Sequence, residues 1–239
     1  MSDPQTPSTR NDTKENILDA AEALFAEQGI EAASLRAITA RAGVNLAAVH
    51  YHFQSKEGLI RAVFSRRIEP INQERLRLLD TLEANGRMRV DDVLYAFIAP
   101  VIRGGGPTPT FRRLMGRIYA DAAGHLRTML KEHFVEVAER FPRALARALP
   151  DLPREELLWR FHFLLGSMIQ VTLNHELIHQ HSLGACDPAD AEALIERLVA
   201  YSSAGFRAPL PGQEDAVESP AQNRYQPPSS TGDWAVWES

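Results

Sequence analysis

Apolar side chains recur along most of this chain at a helical period. Ile17, Ala20, Ala21, Leu24 and Phe25 fall at i, i+3, i+4, i+7 and i+8, one stripe of a 3.6-residue repeat. Asp12 with Glu15 three residues on has the form of a capping box, and Gly29 stands where a helix end favours positive φ. Ser34 can cap a second, short helix through Arg41, Gly43 breaks it, Asn45 can cap a third and Ser55 a fourth. Two helices of about two turns each, separated only by Ala42, Gly43 and Val44, cannot stand as independent members of a bundle. They form a tight helix–turn–helix with its bend at Gly43.

The later segments are longer. Ser55 to about Ala84 reads as one helix kinked at Pro70, and Val90, Val93, Leu94, Phe97, Ile98 and Val101 stripe another that Pro100 kinks. A loop at 104–109 follows. Phe111, Leu114, Met115, Ile118 and Tyr119 mark the next stripe, and Leu126, Met129, Leu130, Phe134, Val137 and Phe141 one more. Pro153, backed by Glu155 and Glu156, starts a helix that is apolar nearly all round and runs to about Gln180. Asp187 and Pro188 start the last, striped by Leu194, Leu198 and Val199. No alternating β pattern and no internal repeat is present. The expected fold is all-α: a three-helix head at residues 12–54, after a flexible 1–11, and a larger helical body at 55–207. Pro, Ser, Gly and acidic residues then dominate, so 208–239 reads as a disordered tail, with Trp234 and Trp237 near its end.

Composition narrows the setting. The 239 residues carry 26 Lys+Arg against 31 Asp+Glu, a net charge of −5, with 44% hydrophobic residues, enough for a core. One cysteine, Cys186, leaves no disulfide framework, and no stretch has the uncharged apolar run of roughly 20 residues that a membrane span requires. Without an apolar leader segment either, the chain reads as soluble and cytoplasmic. The average conceals an asymmetry. Arg36, Arg41, Lys56, Arg61, Arg66 and Arg67 face only Glu57 between residues 32 and 67, while the tail is acidic. A local basic stretch on an acidic chain permits an anionic partner at one place.

The third helix is where that partner would lie. Val44, Val49 and Phe53 are expected to point inward against Ile38, leaving Asn45, Leu46, Ala48, Tyr51 and His52 on outer faces, with Ala47 and His50 to the side. Small residues let a helix axis approach another surface closely, and the helix N-terminus favours phosphate. Ser34, Arg36, Tyr51, His52 and Lys56 flank it as polar or basic groups. This is the layout of a recognition helix in the major groove, its neighbours bonding the phosphate backbone.

The stretch SLRAITARAGVNLAAVHYHFQSKEGLIRAVF, with the amphipathic helix before it, resembles the N-terminal DNA-binding domain of TetR/AcrR-type transcriptional regulators. Ile38, Gly43, Val44, Tyr51, His52, Phe53 and Lys56 agree with that pattern together. The resemblance implies phosphate contacts from Ser34, Tyr51, His52 and Lys56, and base-facing positions at Arg36, Asn45, Leu46, Ala47 and His50. Thr39 departs from the usual Ala, and His50 stands where Tyr is commonest. The body is similar to that of the family's fatty-acid-responsive regulators of fatty-acid oxidation, through FRRLMGRIY, GHLRTML and LLWRFHFLLG. The architecture implied is a homodimer built on the last two long helices, with two reading helices about 34–36 Å apart on a near-palindromic operator. It also implies a repressor released by a small apolar effector, fatty acid or acyl-CoA. Phe97, Met115, Ile118, Phe134, Phe161, Leu165 and Met168 are the candidate cavity wall, with Arg112, Arg113 and Arg117 as candidates for its head group.

One rival reading stands beside this. His175, Glu176 and His179 match H-E-x-x-H, in which imidazoles at i and i+4 share a helix face and chelate zinc while the Glu serves as general base. That would make the chain a zinc-dependent hydrolase or a metal-responsive protein. No third-ligand extension follows, since His181 comes only two residues later. The pair is better suited to the polar, exposed C-terminal end of a long helix, where a cationic His favours the dipole. His50 and His52, at i and i+2, point to different faces and form no metal pair. No cofactor and no enzymatic activity are expected.

Overall fold

The computed structural model describes residues 10–86, 88–104, 108–120 and 131–210. Expectations for the first nine residues, for Leu126, Met129 and Leu130, and for the tail with Trp234 and Trp237 lie outside them. The described segments are helical, without strands. The head is α1 (Arg10–Gln28), α2 (Leu35–Ala42) and α3 (Leu46–Phe53). Then come α4 (Lys56–Ala84), α5 (Val90–Arg103), α6 (Pro109–Ala120), a 3₁₀ turn (Lys131–Phe134), α7 (Val135–Ala148), α8 (Arg154–Leu173), α9 (His175–His181) and α10 (Ala191–Arg207).

Two apolar clusters hold these helices. The first joins Ile17, Leu24 and Phe25 of α1, Ile38 of α2, Val49 and Phe53 of α3, and Leu59, Val63 and Phe64 of α4. It also takes in Phe111, Leu114 and Ile118 of α6. The second gathers the far end of α4 at Leu79 with α5, α7, α8 and α10. Phe97 sits at its centre, its ring centroid 5.0 Å from Phe141 and 5.2 Å from Phe161. Each large side chain so buried contributes about 1.5–3 kcal/mol.

Local signals place most boundaries. Gly29 and Gly43 have φ +90° and +67°, the left-handed turns expected at the ends of α1 and α2. At Gly58 the demand is steric. A Cβ there would lie 2.1 Å from the Phe53 carbonyl oxygen, so α4 can start against the end of α3 only without a side chain.

Four expected boundaries are corrected. The first helix begins at Arg10, so Asp12 lies in its first turn rather than capping it, where a carboxylate still suits the dipole. Phe134 ends the 3₁₀ turn instead of sitting mid-helix. The helix expected to run to about Gln180 stops at Leu173. Asn174 leaves helical geometry at φ −121°, and its Nδ2 donates to Gln170 Oε1 at 3.0 Å. The last helix starts at Ala191, its true cap being Asp190, whose Oδ1 accepts from the Ala193 N–H at 3.0 Å.

Candidate functional site

The head presents α3 as the sequence pattern requires, through three side-chain caps. Ser34 Oγ accepts from the Ala37 N–H at 3.1 Å, Asn45 Oδ1 from Ala48 N–H at 3.0 Å, and Ser55 Oγ from Gly58 N–H at 3.0 Å. Val49 and Phe53 are buried, and the opposite face of α3 is open: Asn45, Leu46, Ala47, His50 and Tyr51 are all exposed. The side expected from the wheel is shifted by one residue. Ala48 is half-buried and packs on the head core, and Ala47 takes the outer position. Tyr51 is 62% exposed and stacks edge-on with the half-buried His52 at 5.0 Å. His50 Nδ1 donates to the Gln54 carbonyl at 3.1 Å. Lys56 Nζ donates to the Glu31 carbonyl at 3.0 Å, which holds it beside the start of α2, where Ser34 and Arg36 are exposed.

The charge of this face is smaller than the basic stretch suggested. Arg41 pairs with Glu27 at 2.7 Å, Arg61 with Glu132, and Arg66 and Arg67 both with Glu22. Among the described residues, Arg36 and Lys56 are the cations of that stretch with no carboxylate partner. The sequence reading missed Lys14, which, with Asn11, Tyr51 and His52, lines a hollow between α1 and α3. Its place one turn before Ile17 was the available signal.

Glu22 ties head to body. It is 3% exposed and accepts from Arg66 Nη2 at 2.7 Å, Arg67 Nε at 3.0 Å and Thr108 Oγ1 at 3.1 Å. Burial alone would lower the Arg66 guanidinium, but bonds to Glu22, Asp19 and Glu15 outweigh it and hold it raised.

Below this junction lies a cavity of about 670 Å³, within the range of small-molecule sites, walled by α4, α5, α6, α8 and Phe134. Of the seven wall residues named from sequence, Met115, Phe134 and Met168 line it. Phe97 and Phe161 are consumed in the body core, Ile118 in the head core, and Leu165 packs against the body core. The three arginines suggested for a head group are elsewhere. Arg117 bonds the end of α1, Arg112 borders a different hollow, and Arg113 is exposed. Of the arginines that do line this cavity, Arg75 is the buried one, at 2% exposed. Its Nε donates to the Phe97 carbonyl at 2.8 Å and its Nη1 to Asn72 Oδ1 at 3.2 Å, with Cζ 4.2 Å from the Phe97 ring centre. Burial pushes its guanidinium below the ordinary arginine value. Spacing could have found it: Ile68, Asn72, Arg75 and Leu79 continue the buried i, i+4, i+7, i+11 stripe of α4.

A further surface is conspicuous on α8. Leu158, Trp159 and Phe163 are 45%, 53% and 62% exposed, with Trp159 and Phe163 stacked at 6.0 Å. Tyr201 on α10 is exposed as well.

Residues 17–63 match the family described as bacterial regulatory proteins, tetR family, and residues 95–205 match the tetracyclin repressor-like C-terminal domain. The chain belongs to the TetR family. The two matches together span well over half of it. Among curated TetR-type relatives, the transcriptional regulator SrpR of Pseudomonas putida is 36% identical over 67 residues, covering 28% of this chain and 32% of that one. The chain thus spans only about a third of that relative's length in alignment. The solved structure of SmeT, repressor of the Stenotrophomonas maltophilia multidrug efflux pump SmeDEF, is 26% identical over 80% of this chain and 91% of its own, with a TM-score of 0.54. FadR, the fatty acid degradation regulator of Bacillus halodurans, covers 87% of this chain and 100% of its own at a TM-score of 0.55. At 16% identity that likeness is one of fold.

The zinc reading finds no support in this TetR-family chain. His175 to His181 is a separate short helix, and His179 Nδ1 lies 3.2 Å from the Cys186 carbonyl. No group of three or more His, Cys, Asp or Glu that could hold a metal occurs among the described residues. No described helix is long and apolar enough to cross a membrane.

Proposed function

We propose that this TetR-family regulator is a homodimeric repressor that reads a near-palindromic operator with α3 and leaves it when a small apolar effector fills the α4–α8 cavity. One observation carries the DNA-binding part. The outer face of α3 has Asn45, Leu46, Ala47 and His50 open and no acidic residue, and Arg36 and Lys56 stand beside it with no carboxylate partner among the described residues. Asn45, Leu46, Ala47, His50 and Arg36 are assigned to base edges. Ser34, Tyr51, His52 and Lys56, joined by Lys14, are assigned to phosphates.

The dimer reading rests on the exposed Leu158, Trp159 and Phe163. A stacked aromatic pair on a helix is the kind of apolar surface that a monomer covers with a second subunit. The effector reading rests on the cavity and on SmeT, of which a structure with triclosan is 27% identical to this chain over 79% of it, with a TM-score of 0.55. Fatty acids and acyl-CoA thioesters are the ligand classes to try first. Release requires the effector to favour a non-binding conformer by its own differential affinity.

The test is selection of bound DNA from random duplexes at low salt, repeated with candidate effectors. Enrichment of an inverted repeat, lost on adding effector, is the expected result. Failure to retain any duplex would overturn the reading.

A further inference from the structure

The cavity walls carry four arginines, Arg66, Arg67, Arg75 and Arg103, and one acid, Glu74. Three of the four are neutralised. Arg66 and Arg67 share Glu22, and Arg103 makes a two-pronged bridge to Glu192 at 2.6 Å through each nitrogen. Glu74 is itself committed to Arg77, at 2.7 Å through both of its oxygens. Arg75 is left as a buried cation with no carboxylate among the described residues.

Its polar partners are all weak for a guanidinium. A carbonyl and an amide oxygen take Nε and Nη1, and the contact of Nη2 is the Met168 thioether at 3.4 Å. Sulfur of this kind is a poor acceptor, and Met is the most adaptable of the apolar side chains. A buried charge is costly unless an opposite charge meets it with good hydrogen bonds. Here no described residue brings the opposite charge, and the side chain covering Nη2 is one that can swing away. Met168 also lines the cavity, so its displacement opens the guanidinium to whatever lies there.

We propose that the cavity takes a single-tailed monocarboxylate, whose carboxylate displaces the Met168 sulfur from Arg75 Nη2 while its apolar tail lies along Ile71, Phe111, Met115 and Phe134. A free acid fits this arrangement and a thioester does not, because the thioester carbonyl brings no charge to Arg75. The inference rests on the effector-cavity reading above and names its ligand class.

The experiment is calorimetric titration of the full chain, without DNA, using dodecanoate, 1-dodecanol, dodecylammonium and dodecanoyl-CoA. Dodecanoate is expected to bind at least about ten-fold more tightly than the alcohol, with the amine weakest. Arg75→Met should erase the preference for acid over alcohol. Met168→Glu places a carboxylate of the chain's own beside Nη2, so it should abolish dodecanoate binding and raise the melting temperature even if Arg75→Met fails to fold. Equal affinity for acid and alcohol, tightest binding of the thioester, or undiminished dodecanoate binding by Met168→Glu overturns the proposal. Binding is read without DNA, so the two readings fail separately. Dodecanoate that binds but leaves the operator occupied refutes effector release alone. An alcohol that releases the operator as well as the acid refutes the carboxylate site alone.

Discussion

Arg117 Nε donates to the Ala26 carbonyl at 3.0 Å, and its Nη2 reaches the Glu27 carbonyl at 2.9 Å. Both carbonyls belong to the last turn of α1, where a helix leaves acceptors unpaired and where a cation suits the dipole. Since α6 also packs on α8, one helix touches both the head and the wall of the α4–α8 cavity.

Arg117→Gln removes this tie. A charged hydrogen bond at a partly exposed site is worth about 1 kcal/mol, and the loss should appear as a lower urea midpoint. Faster amide exchange at residues 26–31 should accompany it. A variant identical to wild type in both measurements would show that the bond contributes nothing.

Gly58 and Gly43 separate two reasons for a glycine. Gly58→Ala forces a methyl to 2.1 Å from the Phe53 carbonyl and should cost about 1–3 kcal/mol, displacing α3 from α4. Gly43→Ala meets no atom within 4 Å, so its cost is the strain of φ +67° alone, about 1 kcal/mol. Thermal unfolding of the two variants should rank them in that order, with the Gly58 variant also losing DNA affinity.

Lys56→Ala should weaken binding to all duplexes alike and reduce the salt slope by about one unit, the signature of a lost phosphate contact. Arg36→Ala should, in addition, relax base preference at one operator position. Equal losses for both variants on specific and non-specific DNA would refute the division of roles between them.

Phe163→Glu puts a charge into the stacked pair on α8. If that face is the subunit interface, sedimentation should change from a dimer to a monomer with the helical content unchanged. A variant that sediments like wild type would place the interface elsewhere.

The Arg103–Glu192 bridge between α5 and α10 gives a pH-dependent term. The hydrogen bonds from Arg103 hold the Glu192 carboxyl below its ordinary 4.5. A depressed carboxyl stabilises the fold above its unfolded value, and that contribution disappears as pH falls through the folded value. The melting difference between wild type and Glu192→Gln should therefore be small and positive at about pH 7 and disappear as pH falls through that depressed value.

Residues near one another in the chain determined the helices, their caps at Ser34, Asn45 and Ser55, the bend at Gly43 and the recognition-helix pattern, because hydrogen bonds and periods of three to four residues are local. The same local rules erred where several of them fitted: Asp12 could cap or follow a cap, and Asn174 could continue a helix or end it. What only the tertiary structure decided was which long-range partners each side chain found. Four arginines of the basic stretch turned out to be paired, Ile118 went to the head core rather than the cavity, and Arg75 was buried at the cavity without a carboxylate among the described residues. Those outcomes depend on contacts between segments tens of residues apart, and burial and charge pairing are properties of the packed chain, not of any stretch of it.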